Sequence, residues 1–193
     1  MQWRNTSDRY GFVAQGLHWL IAAGIVVQYV LAEATGDGDI AAVEPFSPAG
    51  IHIALGVTIL GLAALRLAWR MVELPPERPP GMRPYEVTLA RATHIASYLL
   101  LFAIPLSGWA LASADGEAFS FFGWFDLPQF QPVTQLPLPG IEGGRPSKHQ
   151  LEELHEVLFN MLVGLTLLHA AAALKHHFID RDSVLRSMLP WRR

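Results

Sequence analysis

Four stretches of this chain carry no charge over the length of a membrane. No Asp, Glu, Lys or Arg occurs from Tyr10 to Ala32, Pro45 to Leu65, Ala92 to Ala114 or Val157 to Leu174, windows of 23, 21, 23 and 18 residues. A helix needs about 20 apolar residues to cross hydrocarbon, and in hydrocarbon only helices and closed barrels satisfy every backbone polar group. Four such runs within 193 residues predict one all-α domain over 1–193, an integral membrane four-helix bundle. Its helices are expected at about 12–31, 48–69, 87–112 and 150–178, with any cofactor held in the bundle core. The first run is expected to stay in the protein. It is longer than the apolar core of a signal peptide, and a histidine interrupts it.

The basic residues orient the bundle. Four crossings put both termini on the same side as the loop between the second and third helices. That side holds Arg4, Arg9, Arg66, Arg70, Arg78, Arg83, Arg91, Lys175, Arg181, Arg186, Arg192 and Arg193, and the other holds only Arg145 and Lys148. Such asymmetry marks the cytoplasmic side, so both termini are expected there. The acids divide the opposite way. Glu33, Asp37, Asp39, Glu44, Asp115, Glu117, Asp126, Glu142, Glu152, Glu153 and Glu156 are outer, which gives an outer face of −9 and an inner one of +6 behind the net −3.

The connections differ in character. The proline-rich stretch from Leu74 to Pro84 reads as a stiff inner connector, and Pro105 as a kink within the third helix. The outer segment from Ser113 to His149 is both aromatic and proline-rich, with Phe119, Phe121, Phe122, Trp124, Phe125, Phe130, Pro128, Pro132, Pro137 and Pro139. Aromatic rings favour the membrane interface, so this segment is expected there, as interfacial packing, a lid or a docking platform.

Histidines interrupt or border the apolar runs. Polar side chains at such depth are costly and are functional candidates by default. His155 and His169 lie fourteen residues apart on one run, so they share a helix face and stand roughly 21 Å apart in depth. His18 lies near the inner end of its helix, as His169 does; His52 lies near the outer end, as His155 does. The pairs His18–His169 and His52–His155 are therefore matched in depth, as the two ligands of one bis-histidine haem must be. Two such centres, stacked across the bilayer, account for all four residues as metal ligands.

A haem with histidine on both faces has no open coordination site, so it passes electrons and does not readily bind oxygen. Zinc or di-iron would want a tighter cluster, usually with carboxylates, and the spans contain none. The chain has no cysteine. This excludes c-type haem attachment, cysteine-ligated iron–sulfur clusters and disulfides.

Other residues gather around the inner layer. His94 lies at about the depth of His18 and His169, as a competing ligand or as a hydrogen-bonding partner of a propionate or quinone. Arg66 follows His52 by fourteen residues and repeats its facing one layer deeper. It is a candidate cofactor-binding residue, suited to a haem propionate; the other reading is snorkelling to lipid headgroups, which is the reading for Arg70. His176 shares the face of His169 and either lines a quinone pocket or sits in water at the interface. His149 reads as a loop residue. Gly16, Gly56 and Gly164 would give flat macrocycles room or serve helix contact.

Several motifs resemble the bacterial cytochrome b561 family. They are Gly16-Leu17-His18-Trp19-Leu20, Ile51-His52-Ile53-Ala54-Leu55-Gly56 with Arg66 and Arg70, Ala92-Thr93-His94, Ile104-Pro105-Leu106-Ser107-Gly108, Leu154-His155-Glu156, and Leu168-His169-Ala170-Ala171-Ala172-Ala173-Leu174-Lys175-His176-His177. The resemblance spans nearly the whole chain. It implies two non-covalent b-type haems ligated by His18, His52, His155 and His169, electron exchange with ubiquinone or a related quinone, and a place in the bacterial inner membrane. Some members of the family are superoxide:ubiquinone oxidoreductases.

This chain departs from those members in a longer outer loop and a strongly acidic outer face. Superoxide is an anion, and such a face repels it. The expected partners are therefore membrane lipid, the quinone pool and a basic periplasmic electron carrier or dehydrogenase subunit, with no nucleic acid. The alternatives are a superoxide oxidase and a haem-bearing membrane anchor of a periplasmic dehydrogenase.

Overall fold

The computed structural model describes residues 2–35, 44–114, 119–129 and 146–189. Four helices among them are long and apolar enough to cross a membrane. They are α1 (Phe12–Thr35), α2 (Pro48–Val72), α3 (Pro84–Ala114) and α4 (Lys148–Lys175). A π-helical turn (His176–Asp180) continues α4, and a short α5 (Val184–Met188) ends the described chain.

The helix ends follow local chemistry rather than hydropathy. Ser47 caps α2 by accepting from the Gly50 N–H, with Pro48 at the first helical position, where its missing N–H costs nothing. Ser147 and Gln150 form a reciprocal capping box at α4. Hence α4 begins two residues before the expected 150 and α3 three before the expected 87, where Pro84 opens it. Pro105 lies inside α3, and the helix runs on past it. Between α2 and α3, residues 73–83 are irregular.

The helices pack α1 on α2, α2 on α3 and α3 on α4. Their shared core is Ile21, Ile59, Ala63, Leu100, Leu101, Ile104 and Leu162. Ala54 and Ala63 are wholly buried; small residues at such crossings let helix backbones approach. Leu20, Val26, Val30, Leu65, Leu99, Leu167 and Leu168 remain exposed, which suits a bundle whose surroundings are lipid tails.

The outer segment adds a short hairpin to an otherwise helical chain. Phe119–Phe121 (β1) pairs antiparallel with Phe125–Leu127 (β2). Phe122 and Gly123 both have positive φ, 50° and 75°, and the Trp124 N–H donates to the Phe121 carbonyl at 3.0 Å. These residues form a tight turn inside the three-residue link between the paired Phe121 and Phe125. Phe119 and Leu127 bury themselves against Ala112, with Ile53, Val57 and Trp109 around them, and the Trp109 Nε1–H donates to the Pro128 carbonyl at 2.8 Å. The hairpin thus covers the outer ends of α2 and α3, while Trp124 stays 81% exposed. Phe130, Pro132, Pro137 and Pro139 lie outside the described residues, as do Asp37, Asp39, Asp115, Glu117, Glu142, Arg145, Arg192 and Arg193.

At the inner end, polar contacts tie the chain ends to the bundle. Arg4 pairs with Glu73 at 2.5 Å. The Gln15 amide donates to the Tyr10 and Ser187 carbonyls, and the Trp19 indole to the Met188 carbonyl. Lys175 bridges Glu86 and Asp180, 2.6 Å from each.

The hairpin anchor is testable. Trp109→Phe removes one hydrogen bond worth about 1 kcal/mol. Amide exchange across Phe119–Leu127 should quicken by about fivefold, with α1 to α4 unchanged by mass spectrometry. Unaltered exchange in the hairpin would show that the indole bond does not hold it.

Candidate functional site

His52 lies in the second turn of α2 and His155 in the third turn of α4, and their rings face each other with centroids 6.2 Å apart. Two imidazoles on opposite sides of one metal, each bonded at about 2 Å, place their ring centres about 6 Å apart. A cavity of about 600 Å³ adjoins the pair, lined by Gln28, Gly56, Pro105 and Gly108 among others. That volume lies within the range of roughly 300–1,000 Å³ usual for sites of organic ligands and cofactors.

The orientation of His155 is built by α3. Its Nδ1 lies 3.0 Å from Ser107 Oγ, and that hydroxyl donates its single proton to the Ile104 carbonyl at 2.8 Å. The hydroxyl can then only accept from the imidazole, so the network assigns the proton to Nδ1 and leaves the Nε2 lone pair for a metal. Gly108 makes this placement possible. A Cβ there would lie 3.0 Å from His155 Cε1.

His52 is held differently. Its backbone carbonyl accepts from Gln28 Nε2 at 3.0 Å, while its Nδ1 and Gln28 Oε1 are buried without a hydrogen-bond partner among the described residues. Gly56 makes room for this amide: its missing Cβ would lie 3.2 Å from Gln28 Nε2. Of the three glycines read as giving a macrocycle room or serving helix contact, Gly56 makes the contact with α1 and also lines the cavity. A Cβ on Gly16 or Gly164 would meet nothing within 4 Å.

The inner cluster joins three helices. His18 of α1 and His169 of α4 have ring centroids 6.3 Å apart, and His94 of α3 stands 5.9 Å from His169. Separation alone fits either partner for His169. Arg66 is half-buried and donates to the Ala14 carbonyl at 3.1 Å, so its guanidinium reaches toward α1. Exposed Arg70 has its guanidinium carbon 6.0 Å from the Tyr98 ring centre.

Two other histidines lie elsewhere. His176 is buried, with Nδ1 2.6 Å from Asp182 and 3.1 Å from Asp180. It is engaged in an ion-pair cluster at the π-helical turn and does not line the cavity beside His52 and His155. His149 is exposed, 3.9 Å from Glu153. Ser107 and Gly108 entered the sequence reading only within a family motif, without a role of their own, and Gln28 did not enter it. The Ser-Gly pair about two turns before the end of a charge-free span was the available signal.

The residues present fit haem. Each pair sets its ring centres about as far apart as two imidazoles on one metal, and the outer pair adjoins space for a macrocycle. Glu33 and Glu156 also line the outer cavity, so an occupant or visitor there meets negative charge.

The comparisons with known proteins agree with this arrangement. A profile of the family described as Prokaryotic cytochrome b561 matches residues 9–191. The chain is 35% identical over 191 residues to cytochrome b561 homolog 2 of Escherichia coli (strain K12), covering 98% of this chain and 95% of that protein. It is 28% identical over 186 residues to the probable superoxide oxidase CybB of Yersinia pestis, covering 96% and 98%. It is 25% identical over 177 residues to cytochrome b562 of Cereibacter sphaeroides, covering 90% of each.

Two glycine variants separate crowding at His155 from a general helix effect. Gly108→Ala should destabilise the protein by about 1–3 kcal/mol through overpacking. Gly61→Ala, where a Cβ meets nothing within 4 Å, should stabilise it by about 0.5–1 kcal/mol. Unfolding in mixed detergent micelles measures both. Equal effects would remove the role given to Gly108.

Proposed function

The chain belongs to the prokaryotic cytochrome b561 family, and from that membership we propose a transmembrane dihaem cytochrome joining the quinone pool to a redox partner at the outer face. Membership makes it a bacterial membrane electron-transfer protein whose family implies b-type haem. The finer reading assigns His52 and His155 to an outer haem and His18 and His169 to an inner one. The observation that carries it is the recurrence, in two layers about 21 Å apart, of facing imidazoles 6.2 and 6.3 Å apart.

When bound, each haem supplies one-electron chemistry. The protein supplies the rest. Ser107 holds the His155 tautomer that leaves Nε2 for iron. Gln28 steadies the α2 backbone at His52. Arg66 offers its remaining N–H groups to an inner-haem propionate. His94 lies beside His169 as a hydrogen-bonding neighbour to the inner cofactor. Ubiquinone or a related quinone is the membrane substrate, and both termini lie in the cytoplasm with the basic residues.

The likeness to a probable superoxide oxidase across nearly the whole chain favours a second reading, superoxide oxidation at the outer face. The charge at the outer cavity opposes it. Glu33 and Glu156 line that cavity, and carboxylates there repel an anion while favouring a basic carrier.

A reduced-minus-oxidised spectrum with haem quantification should show two b haems per chain; none would defeat the reading. His52→Ala and His155→Ala should each remove the same haem, and His18→Ala and His169→Ala the other. Loss of different haems from His52→Ala and His155→Ala would break the pairing.

Superoxide-driven ubiquinone reduction by the purified protein should be slow and should rise with salt, because screening weakens the repulsion. A fast reaction that slows with salt would establish the superoxide reading and overturn the charge argument.

A further inference from the structure

A second cavity lies at the inner end, between α2, α3 and the N-terminal segment. Arg66, Trp69, Arg70, His94 and Tyr98 line it, with Glu73 also in its wall. The Trp69 Nε1–H and the Tyr98 hydroxyl are buried without a hydrogen-bond partner among the described residues. An indole N–H can only donate, so whatever satisfies Trp69 must be an acceptor. Arg66 spends one of its N–H groups on the Ala14 carbonyl and has others left. Glu73 does not cancel the two arginines: Arg4 neutralises it at 2.5 Å, and the Asn5 N–H also donates to it at 3.4 Å.

The cavity is therefore donor-rich and positive. Water could satisfy the indole and the hydroxyl but would leave the half-buried Arg66 guanidinium without an anion beside hydrocarbon. Size narrows the occupant further. The cavity measures about 40 Å³, the volume of a few waters at roughly 10–15 Å³ each. That admits a carboxylate or the oxygens of a phosphate, and it is too small for a quinone ring.

We propose that Arg66, Trp69, Arg70 and Tyr98 form an oxyanion site at the inner end of the bundle. The oxyanion has two possible sources. One is a propionate of the inner haem, reached past His94, which lines this cavity and also stands 5.9 Å from His169; that source rests on the functional reading above. The other is the phosphate of an inner-leaflet lipid, entering from outside. Arginine forks suit both groups.

Trp69→Phe and Tyr98→Phe each remove one donor, and Arg70→Gln removes an exposed charge without disturbing the core. The midpoint potentials of both haems are measured by redox titration, and the retained phospholipid by phosphorus analysis of the purified protein. With a propionate in the site, each variant lowers the inner-haem potential and leaves the outer one unchanged, because a less neutralised carboxylate favours the ferric state. Loss of one hydrogen bond, about fivefold in the reduced-to-oxidised ratio, corresponds to about 40 mV at 59 mV per decade.

With a lipid phosphate in the site, both potentials hold and the variants lose tightly held phospholipid. If haem content, both potentials and retained phospholipid are all unchanged in the three variants, the oxyanion site is wrong. A wild-type protein lacking the inner haem would defeat the functional reading alone, and the phospholipid measurement would still decide the site.

Discussion

A buried imidazole inside a bilayer must find a partner there, and the facing of histidine against histidine is the contact around which this bundle is arranged. His52 meets His155 at 6.2 Å and His18 meets His169 at 6.3 Å. Each contact joins helices that are not consecutive, α2 to α4 and α1 to α4. The core residues Ile21, Ile59, Leu101 and Leu162 lie between these layers. They set the helix spacing that puts the rings opposite one another. A one-residue slip of α4 would turn both of its histidines by about 100° at once.

The two layers are not equivalent. The outer one adjoins a roomy cavity with Glu33 and Glu156 in its wall, and its histidines are held by neutral groups, Ser107 and Gln28. The inner one has a third histidine, His94, and lies beside two arginines, an indole and a phenol. Should each layer hold a haem as proposed, negative surroundings would stabilise the oxidised iron outside and positive ones the reduced iron inside. The same charges choose visitors: cations and neutral molecules outside, oxyanions inside.

Much of this was legible in order along the chain. The charge-free windows mark helices because hydrocarbon leaves the backbone no other choice. The depth of each histidine follows from helical rise, so the facing pairs could be read before any coordinates. The hairpin at Phe119–Leu127 could not. Its aromatic run signals an interface, but two strands form there only because Ala112, Ile53 and Val57 offer Phe119 and Leu127 a surface to cover. His176 was misread for a similar reason. It keeps the α-helical spacing from His169, but the chain after it passes into a π-helical turn and Arg181 takes a left-handed conformation. That brings Asp182 back to within 2.6 Å of the ring.

The sequence by itself determined four membrane helices, the charge asymmetry between their ends and the two depths at which histidines pair. Those properties depend on one-dimensional spacing and on the dielectric of lipid. Only the tertiary structure decided which neighbours orient each imidazole. Ser107 lies 48 residues from His155 and Gln28 24 residues from His52, and no period along one helix predicts a hydrogen bond between two. Nor could spacing show that Trp69 and Tyr98 bury unmatched polar groups beside Arg66. Burial depends on what the neighbouring helices cover, and that exists only once they have packed.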